Sequence, residues 1–234
     1  MTKDQWREAW SRHLPNYLNA FPRTGFHMEM LFPDRSLRIL ELGGATLRDA
    51  NHLAKRGYDV VGSDYESETV RIAAAACGNP ALKTMVLDAF ATGLPDNAFD
   101  VTFHNGLWVC FGSDEKIRQL LAEQARITSR YLVAIVHNAH NERLKQTFSE
   151  RAKSDRLYDI RFFRQEELAG LLEPYGRTTI HPFGTRLSNR LAPGMVLGGL
   201  PYALRRILYR NVCPFEPLST WERLVAITEL DRRR

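Results

Sequence analysis

Strand-like and helix-like segments alternate along the chain from Leu37 to Asn138. Short apolar runs such as "LRILEL" and "YLVAIVHN" are typical of strands buried on both faces, and segments with helical spacing of apolar residues separate them. This alternation predicts right-handed βαβ crossovers and a mainly parallel sheet, so it restricts the chain to an α/β fold. The helices are predicted at 47–57, 67–77, 114–128, 141–155 and 164–173.

The two ends of the chain add further elements. Residues 3–20 carry aromatic and apolar side chains at helical spacing, which predicts an amphipathic helix laid over the domain. Near the other end, "RTTIHPFGTRL" and "ERLVAITEL" are strand-like, so the expected sheet has seven strands and is doubly wound. Residues 188–220 between these two strands are too many for an ordinary connection. We therefore expect a lid over the site, or a partner surface, in that segment.

The turn "ELGGATLRDA" follows the first strand, where doubly wound sheets bind ligands. Gly43 and Gly44 let the backbone approach a ligand, and the helix that begins near Leu47 offers free N–H groups to an anion. Asp64 ends the second strand 21 residues after Gly43. That separation in sequence is typical of a carboxylate that accepts hydrogen bonds from the ribose hydroxyls of an adenosine cofactor.

A third strand end narrows the choice of cofactor. In "VLDAFATGLPDNAFD", Asp88 follows a strand, where its carboxylate can accept from an adenine amino group while the N–H of Ala89 donates to the ring. With "ELGGATLRDA", "VVGSDYE", "LDAFATGLPDNAFDVTFHNGLWVCF" and "YLVAIVHN" in this order, the run from Leu37 to Asn138 resembles a class I S-adenosylmethionine-dependent methyltransferase, of the small-molecule, type 11-like kind.

The resemblance implies the Rossmann-like sheet of that family, with "ERLVAITEL" as an antiparallel last strand. It also implies S-adenosylmethionine as the cofactor. A single domain is expected, with a helical cap (1–36), a cofactor-binding core (37–138) and an acceptor-side half (139–234). The implied cofactor residues are Glu41, Gly43, Gly44 and Ala45 at the methionine end, Asp64 at the ribose, Tyr65 stacked beside the adenine or the ribose, Asp88 and Ala89 at the adenine, and Asn105 near the sulfonium.

The sequence departs from the family pattern in three places. The family turn carries glycine at every second position, whereas this chain has Gly43, Ala45 and Leu47. The Leu47 side chain either narrows the methionine pocket or packs under it. Cys110 stands where a histidine is often found, so no general base is transferred to it. The proline often found before Asn138 is absent, which leaves His137 at the end of the fifth strand.

Methyl transfer needs few catalytic groups, because alignment and exclusion of water do most of the work. His104 and Asn105 end the fourth strand and are predicted to orient an acceptor, with strand capping as the alternative. His137 is a candidate base. Trp108 is predicted to wall the acceptor site, with core packing as its alternative.

Further acceptor residues are expected after the fifth strand and in the lid. Asn138 and His140 follow His137, but this cluster lacks a carboxylate or cysteine at metal-ligand spacing, so no metal is expected. Arg186 and Arg190 stand where the lid leaves the sheet. Arginines there would clamp an acidic acceptor, or would remain solvated at the rim.

Composition limits the broad class of protein. The chain has 234 residues, 44% of them hydrophobic, and a net charge of +5, which suits one sizeable core with a basic surface. No leader peptide and no apolar run of membrane-spanning length is present, so a cytoplasmic protein is expected. The three cysteines form no CxxC pair, which argues against a disulfide framework.

The leading hypothesis is a methyltransferase that acts on an O or N atom of a small molecule, bearing an acid, sugar or phosphate. The alternatives are a catalytically silent protein that binds the cofactor or a partner, and a nicotinamide-dependent oxidoreductase. Arg48 disfavours the oxidoreductase, because a dinucleotide needs a small residue there. Nucleic acid is not expected as a partner. Residues 194–210 are expected to form a lid packed on the domain, with contact to a membrane surface as the lesser alternative. A monomer or homodimer is expected.

Overall fold

The computed structural model of the chain describes residues 3–211 and 216–231. Residues 212–215 of the expected lid, with Cys213, lie outside the described residues, as do residues 1–2 and the C-terminal Arg232–Arg234. The described chain forms one seven-stranded sheet in the order β3-β2-β1-β4-β5-β7-β6. The strands are β1 Arg38–Glu41, β2 Asp59–Asp64, β3 Lys83–Val86, β4 Phe99–Asn105, β5 Thr128–His137, β6 Gly176–Phe183 and β7 Arg223–Leu230.

The direction of the strands confirms the expected fold class. The pairs among β1 to β5 are parallel, whereas β7 is antiparallel to both β5 and β6. The strand order reverses between β1 and β4, which places a ligand-binding crevice beyond their carboxyl ends. Because β7 runs the other way, its first residue, Arg223, lies at the same edge as His137, with which it pairs.

Helices cover both faces of the sheet and match the predicted segments closely. Leu53 and Ala50 of one helix layer pack against strand residues such as Ile39, and Leu120 belongs to the core cluster on the other face. The helices are α1 Lys3–Leu18, α2 Arg23–Leu31, α3 Arg48–Lys55, α4 Ser67–Cys77, α5 Asp114–Arg126, α6 Glu142–Ala152, α7 Gln165–Leu172, α8 Arg186–Leu197 and α9 Tyr202–Asn211.

Helix α2 was not expected from the sequence. It is short, and the side chains buried on it include Thr24, His27 and Glu29 as well as apolar residues. A helix buried nearly all round shows no amphipathic period, so its sequence carries no helical signal. Its burial depends on the rest of the fold.

Two helices, α8 and α9, form the described part of the segment that was expected to be a lid. Ala192 and Met195 pack against Phe26 and Met30 of α2 in one apolar cluster. Nη2 of Arg205 also contacts the buried carboxylate of Glu29 at 3.1 Å. The segment therefore packs on its own domain. Within the described residues, no helix is long and apolar enough to cross a membrane.

Candidate functional site

Four polar side chains meet at the carboxyl edge of the sheet. Glu41, Asp64, Asn105 and His137 are the last residues of β1, β2, β4 and β5. Glu41, Asn105 and His137 line a common cavity together with the turn after β1. The sheet thus brings residues from distant parts of the sequence to one crevice, as expected for the carboxyl ends of neighbouring strands.

The turn after β1 has an alternating backbone conformation. Gly43, Ala45 and Leu47 have φ angles of 63°, 46° and 53°, all in the left-handed region. These are the three positions at which the family pattern carries glycine. Side chains are disfavoured in that region. The turn therefore adopts the left-handed conformation at all three positions, although two of them do not carry glycine.

The Leu47 side chain packs beneath this turn. It is fully buried and clusters with Val70 and Ala73 of α4. A Cβ built on Gly62 would lie 3.1 Å from its Cδ2 atom, so Leu47 fills the space left by a glycine in β2. It is not among the residues that line the cavity. Of the two alternatives, packing under the pocket is therefore the one observed.

Asp64 connects the turn to the end of β2. Its Oδ2 atom accepts the N–H of Ala45 at 2.9 Å, and its Oδ1 atom accepts the N–H of Glu66 at 3.2 Å. Burial raises the pKa of Asp64 above its ordinary value, and these two N–H donors oppose that shift. The backbone N–H of Tyr65 also donates to this carboxylate, so about one of its roughly four lone-pair positions remains for a ligand hydroxyl.

The predicted adenine residues lie on the open side of Asp64. The backbone N–H of Leu87 donates to the carbonyl of Asp64 at 2.9 Å, which places Asp88 beside the end of β2. The Asp88 carboxylate is exposed and accepts the N–H of Phe90 at 2.9 Å, while the Tyr65 ring is 44% exposed. Both side chains are therefore accessible to a flat ring, and their roles stay predictions.

Glu41 caps the helix that follows the turn. Its Oε2 atom accepts the N–H of Ala50, in the first turn of α3, at 3.0 Å. Burial raises the pKa of Glu41 well above its ordinary value, and the neighbouring Asp49 carboxylate raises it further. Both effects favour the neutral form of this buried acid.

One wall of the cavity is largely aromatic. Trp10 and Tyr17 of α1 line it together with Phe148 and Tyr158. Helix α1 is held there by polar contacts, among them His13 Nε2 with Asp155 Oδ2 at 2.6 Å. An apolar wall together with a polar sheet edge suits a small molecule with an apolar body.

The sheet side of the cavity is polar and includes an arginine that the sequence analysis did not single out. Nη1 of Arg223 donates to Oδ1 of Asn105 at 2.8 Å, and Nδ2 of Asn105 donates to Oδ2 of Asp49 at 3.2 Å. His137 is buried at this edge. Burial lowers the pKa of His137 well below its ordinary value, and the charges of Arg223 and Arg23 lower it further. The ring is therefore neutral at neutral pH.

Two of the residues predicted at the acceptor lie in the core instead. His104 and Trp108 are fully buried, with ring centroids 4.9 Å apart. Neither ring nitrogen of His104 has a hydrogen-bond partner among the described residues, and burial lowers its pKa to about 3. The predicted catalytic role of His104 and the predicted substrate contact of Trp108 are wrong, because both rings pack inside the domain away from the cavity.

The predictions for the residues after β5 and in the lid also need correction. Asn138 is fully buried, and its Nδ2 donates to the carbonyls of Leu218 and Trp221 at 2.8 and 3.0 Å. Its Oδ1 accepts the N–H of His140. Asn138 therefore fixes the loop before β7, and it is not among the residues that line the cavity. The other three residues lie apart from the cavity lining: His140, and the exposed Arg186 and Arg190.

Sequence reasoning missed three polar residues of the cavity: Arg48, Asp49 and Arg223. Arg223 had a signal in the sequence. It begins the strand predicted to be antiparallel, and the amino end of such a strand lies at the carboxyl edge of its parallel neighbours. Arg48 and Asp49 open α3, but an N-terminal helix position alone does not show which side chain turns toward a cavity.

Comparison with known proteins agrees with this geometry. Residues 39–130 match the family model described as a methyltransferase domain. A search of curated protein sequences finds no match. Among solved structures, a chain from the Haloferax volcanii complex between the Trm112 methyltransferase activator and a methyltransferase is 14% identical. The comparison covers 100% of this chain and 99% of that one, with a TM-score of 0.67.

Two further structures show the same fold. A Thermotoga maritima S-adenosylmethionine-dependent methyltransferase, described as a candidate histamine N-methyltransferase, is 15% identical over 96% of this chain and 99% of its own, with a TM-score of 0.63. The magnesium protoporphyrin IX methyltransferase of Synechocystis PCC 6803, solved with bound S-adenosylhomocysteine, is 11% identical over 97% and 93%, with a TM-score of 0.58. Residues 39–130 thus match a methyltransferase domain, and the chain has the fold of class I S-adenosylmethionine-dependent methyltransferases.

Proposed function

We propose that this chain transfers a methyl group from S-adenosylmethionine to an O or N atom of a small molecule bound in the cavity, with an acidic, sugar- or phosphate-bearing metabolite as the expected acceptor class. One observation supports this proposal most strongly. The turn residues 43–46 and the strand ends Asn105 and His137 line the same cavity. A cofactor on the turn would therefore meet an acceptor above β4 and β5.

The residues at the turn fit this cofactor. Gly43, Gly44 and Ala45 present backbone to the cavity, and the start of α3 lies beside them. The Asp64 carboxylate is fixed by backbone N–H donors and keeps about one acceptor position for a ribose hydroxyl. Leu47 leaves the pocket open because it packs on α4. We expect Asp88, Ala89 and Tyr65 to hold the adenine.

When bound, S-adenosylmethionine would supply an electrophilic methyl group to the acceptor lone pair, with S-adenosylhomocysteine as the other product. The chain's own residues position the acceptor and exclude water. Asn105 is held from both sides by Arg223 and Asp49, so its amide has a fixed orientation. His137 is neutral and is the expected acceptor of a proton from a hydroxyl or ammonium group.

The closure of the cavity by α1 supports a small acceptor over a polymer. Trp10 and Tyr17 of α1 line the cavity, and Nη1 of Arg48 donates to the carbonyl of Tyr17 at 3.0 Å. A helix in this place limits the space for a long chain. A monomer or homodimer is the expected state, and size-exclusion chromatography with light scattering measures it. Because one structurally similar chain is bound to a methyltransferase activator, the assays below also include a cell extract as a source of such a partner.

A methylation screen tests the proposal. The purified chain is incubated with S-adenosylmethionine and pools of small carboxylates, sugars, phosphate esters, phenols and amines, and mass spectrometry detects S-adenosylhomocysteine with a methylated product. We expect transfer within one acceptor class, and a loss of about 100-fold or more in Asn105→Ala. Cofactor binding without transfer, with or without extract, would favour the catalytically silent protein instead.

A further inference from the structure

The acceptor end of the cavity carries a cation without a matching acid. Arg223 is the first residue of β7, and it pairs in the sheet with His137 of β5. Its guanidinium reaches across the end of β5 to Asn105 of β4. The group therefore lies above β4 and β5, which form the acceptor half of the cavity.

The contacts of Arg223 leave its charge uncompensated. Among the residues that the structure describes, its side chain hydrogen-bonds only to the neutral amide of Asn105, and no described carboxylate forms an ion pair with it. Burial and the nearby charge of Arg23 lower the pKa of Arg223 to about 10, although the carboxylates of Glu222 and Asp49 act in the opposite direction. A guanidinium has five N–H donors in a planar fork. Most of them remain available to a ligand.

The nearest acids are already engaged elsewhere. Glu222 accepts from Arg23 at 2.8 Å and from Asn189 at 3.0 Å. Asp49 accepts the N–H of Gly25 at 2.8 Å through Oδ1 and the amide of Asn105 through Oδ2. An uncompensated cation in a partly desolvated cavity is costly unless a ligand completes its shell.

A second cation reinforces the field at this end. Arg48 lines the same cavity, and its Nε atom is buried without a hydrogen-bond partner among the described residues. Burial raises the pKa of the nearby Glu41 carboxyl, which favours its neutral form. Positive charge in a low-dielectric cleft attracts anions strongly. The cavity therefore selects for a negatively charged group near Arg223.

We propose that Arg223 binds an anionic group of the methyl acceptor, a carboxylate or a phosphate, while the aromatic wall formed by Phe148 and Tyr158 holds an apolar or aromatic body. This inference rests on the proposed function, because it concerns the acceptor site of that reaction. The planar fork of Arg223 matches two oxygens of such a group. Arg223 thus sets the acceptor class, and neutral analogues of the acceptor bind weakly.

Calorimetric titration of the protein saturated with S-adenosylhomocysteine tests this assignment. The probes are benzoate, inorganic phosphate and the neutral isostere benzamide. We expect benzoate or phosphate to bind the wild type, and to bind Arg223→Met at least tenfold more weakly. Benzamide should bind both proteins alike. The stronger of the two anions identifies carboxylate or phosphate as the preferred group. Equal anion affinity in wild type and Arg223→Met, or no anion binding by the wild type, overturns the proposal.

Matched variants separate this role from other roles. Arg190→Met removes an exposed arginine of α8 and should leave anion binding unchanged. Arg223→Lys keeps the charge without the planar fork, and should retain part of the binding with the melting temperature of the wild type. If Arg223→Met weakens S-adenosylhomocysteine but not methylthioadenosine, which lacks the carboxylate, Arg223 serves the cofactor and the proposal is wrong. If the wild type binds no S-adenosylhomocysteine, the proposed function fails, and titration of the cofactor-free protein with the same anions still decides this inference.

Discussion

Oδ2 of Asp64 accepts the backbone N–H of Ala45 at 2.9 Å, so the last residue of β2 fixes the turn that follows β1. A second bond acts in the same place, because the N–H of Gly44 donates to the carbonyl of Ser63 at 2.8 Å. The two bonds hold the turn in its left-handed geometry although two of its three left-handed residues carry side chains.

The first prediction concerns the strain in this turn. Ala45→Gly should change the free energy of unfolding by less than about 0.5 kcal/mol. The substitution relieves about 1 to 2 kcal/mol of left-handed strain, but the loss of methyl burial and the greater backbone entropy of the unfolded chain offset this gain. Gly43→Ala adds strain without any gain, and its Cβ would lie 3.0 Å from Leu107 Cδ1. It should destabilise by about 2 kcal/mol. Urea unfolding measures both, and equal effects of the two substitutions would contradict this account.

The second prediction concerns Leu47. Its side chain is fully buried against α4 and outside the cavity. Leu47→Ala should therefore destabilise the protein by about 3 kcal/mol, the usual cost of an aliphatic cavity. Affinity for S-adenosylhomocysteine should stay within about twofold, measured well below the melting temperature. A large gain in affinity would show instead that Leu47 narrows the pocket.

A third prediction follows from the burial of His104. Both of its ring nitrogens lack hydrogen-bond partners among the described residues, and an unsatisfied buried polar group costs about 1 to 3 kcal/mol. His104→Leu should raise stability by about 1 kcal/mol near neutral pH. Methyl transfer should persist, in contrast to Asn105→Ala. Loss of transfer in a stable His104→Leu protein would restore a catalytic role for this histidine.

The burial of His104 also predicts that the effect of His104→Leu on stability depends on pH. The folded-state pKa of His104 is about 3, below the ordinary 6.5, so below pH 6.5 the unfolded chain gains a proton that the folded chain does not. The stability that depends on neutral His104 is fully present above pH 6.5 and decreases as the pH falls. Between pH 6.5 and about pH 5, the stability difference between His104→Leu and wild type should widen by about 2 kcal/mol. Urea unfolding at the two pH values gives this difference, and shifts common to both proteins cancel. An unchanged difference would mean that His104 titrates normally.

Much of the fold was predictable because its signals are local. The apolar runs of β2 and β4 and the cap and period of α4 set their limits, and the structure places Asp59–Asp64, Phe99–Asn105 and Ser67–Cys77 at the predicted residues. Helix α2 was not predictable, since its burial on nearly all sides removes the amphipathic pattern. Its helical state is visible only once α3 and α8 surround it.

Some residues of the candidate site were likewise predictable from the sequence, and others were not. The strand-end residues Glu41, Asp64 and Asn105 were predictable from topology, because parallel strands present their carboxyl ends together. The directions in which the side chains of His104 and Asn138 point were not predictable. Alternate residues of a strand point to opposite faces, and a shift of one residue separates the buried His104 from Asn105 in the cavity. Arg223 is brought to the site by a sheet pairing between residues far apart in sequence.

The central claim is that the turn after β1 holds S-adenosylmethionine with Asp64 at the ribose. Calorimetric titration with S-adenosylhomocysteine tests it most directly, using the wild type, Asp64→Ala and a control variant, Asp59→Ala. The control removes an exposed carboxylate at the other end of β2, where Asp59 pairs with Lys83 at 2.7 Å. We predict micromolar binding by wild type and Asp59→Ala, and binding at least tenfold weaker by Asp64→Ala while it remains folded. Wild-type protein that does not bind, or folded Asp64→Ala that binds as tightly as wild type, would contradict the claim.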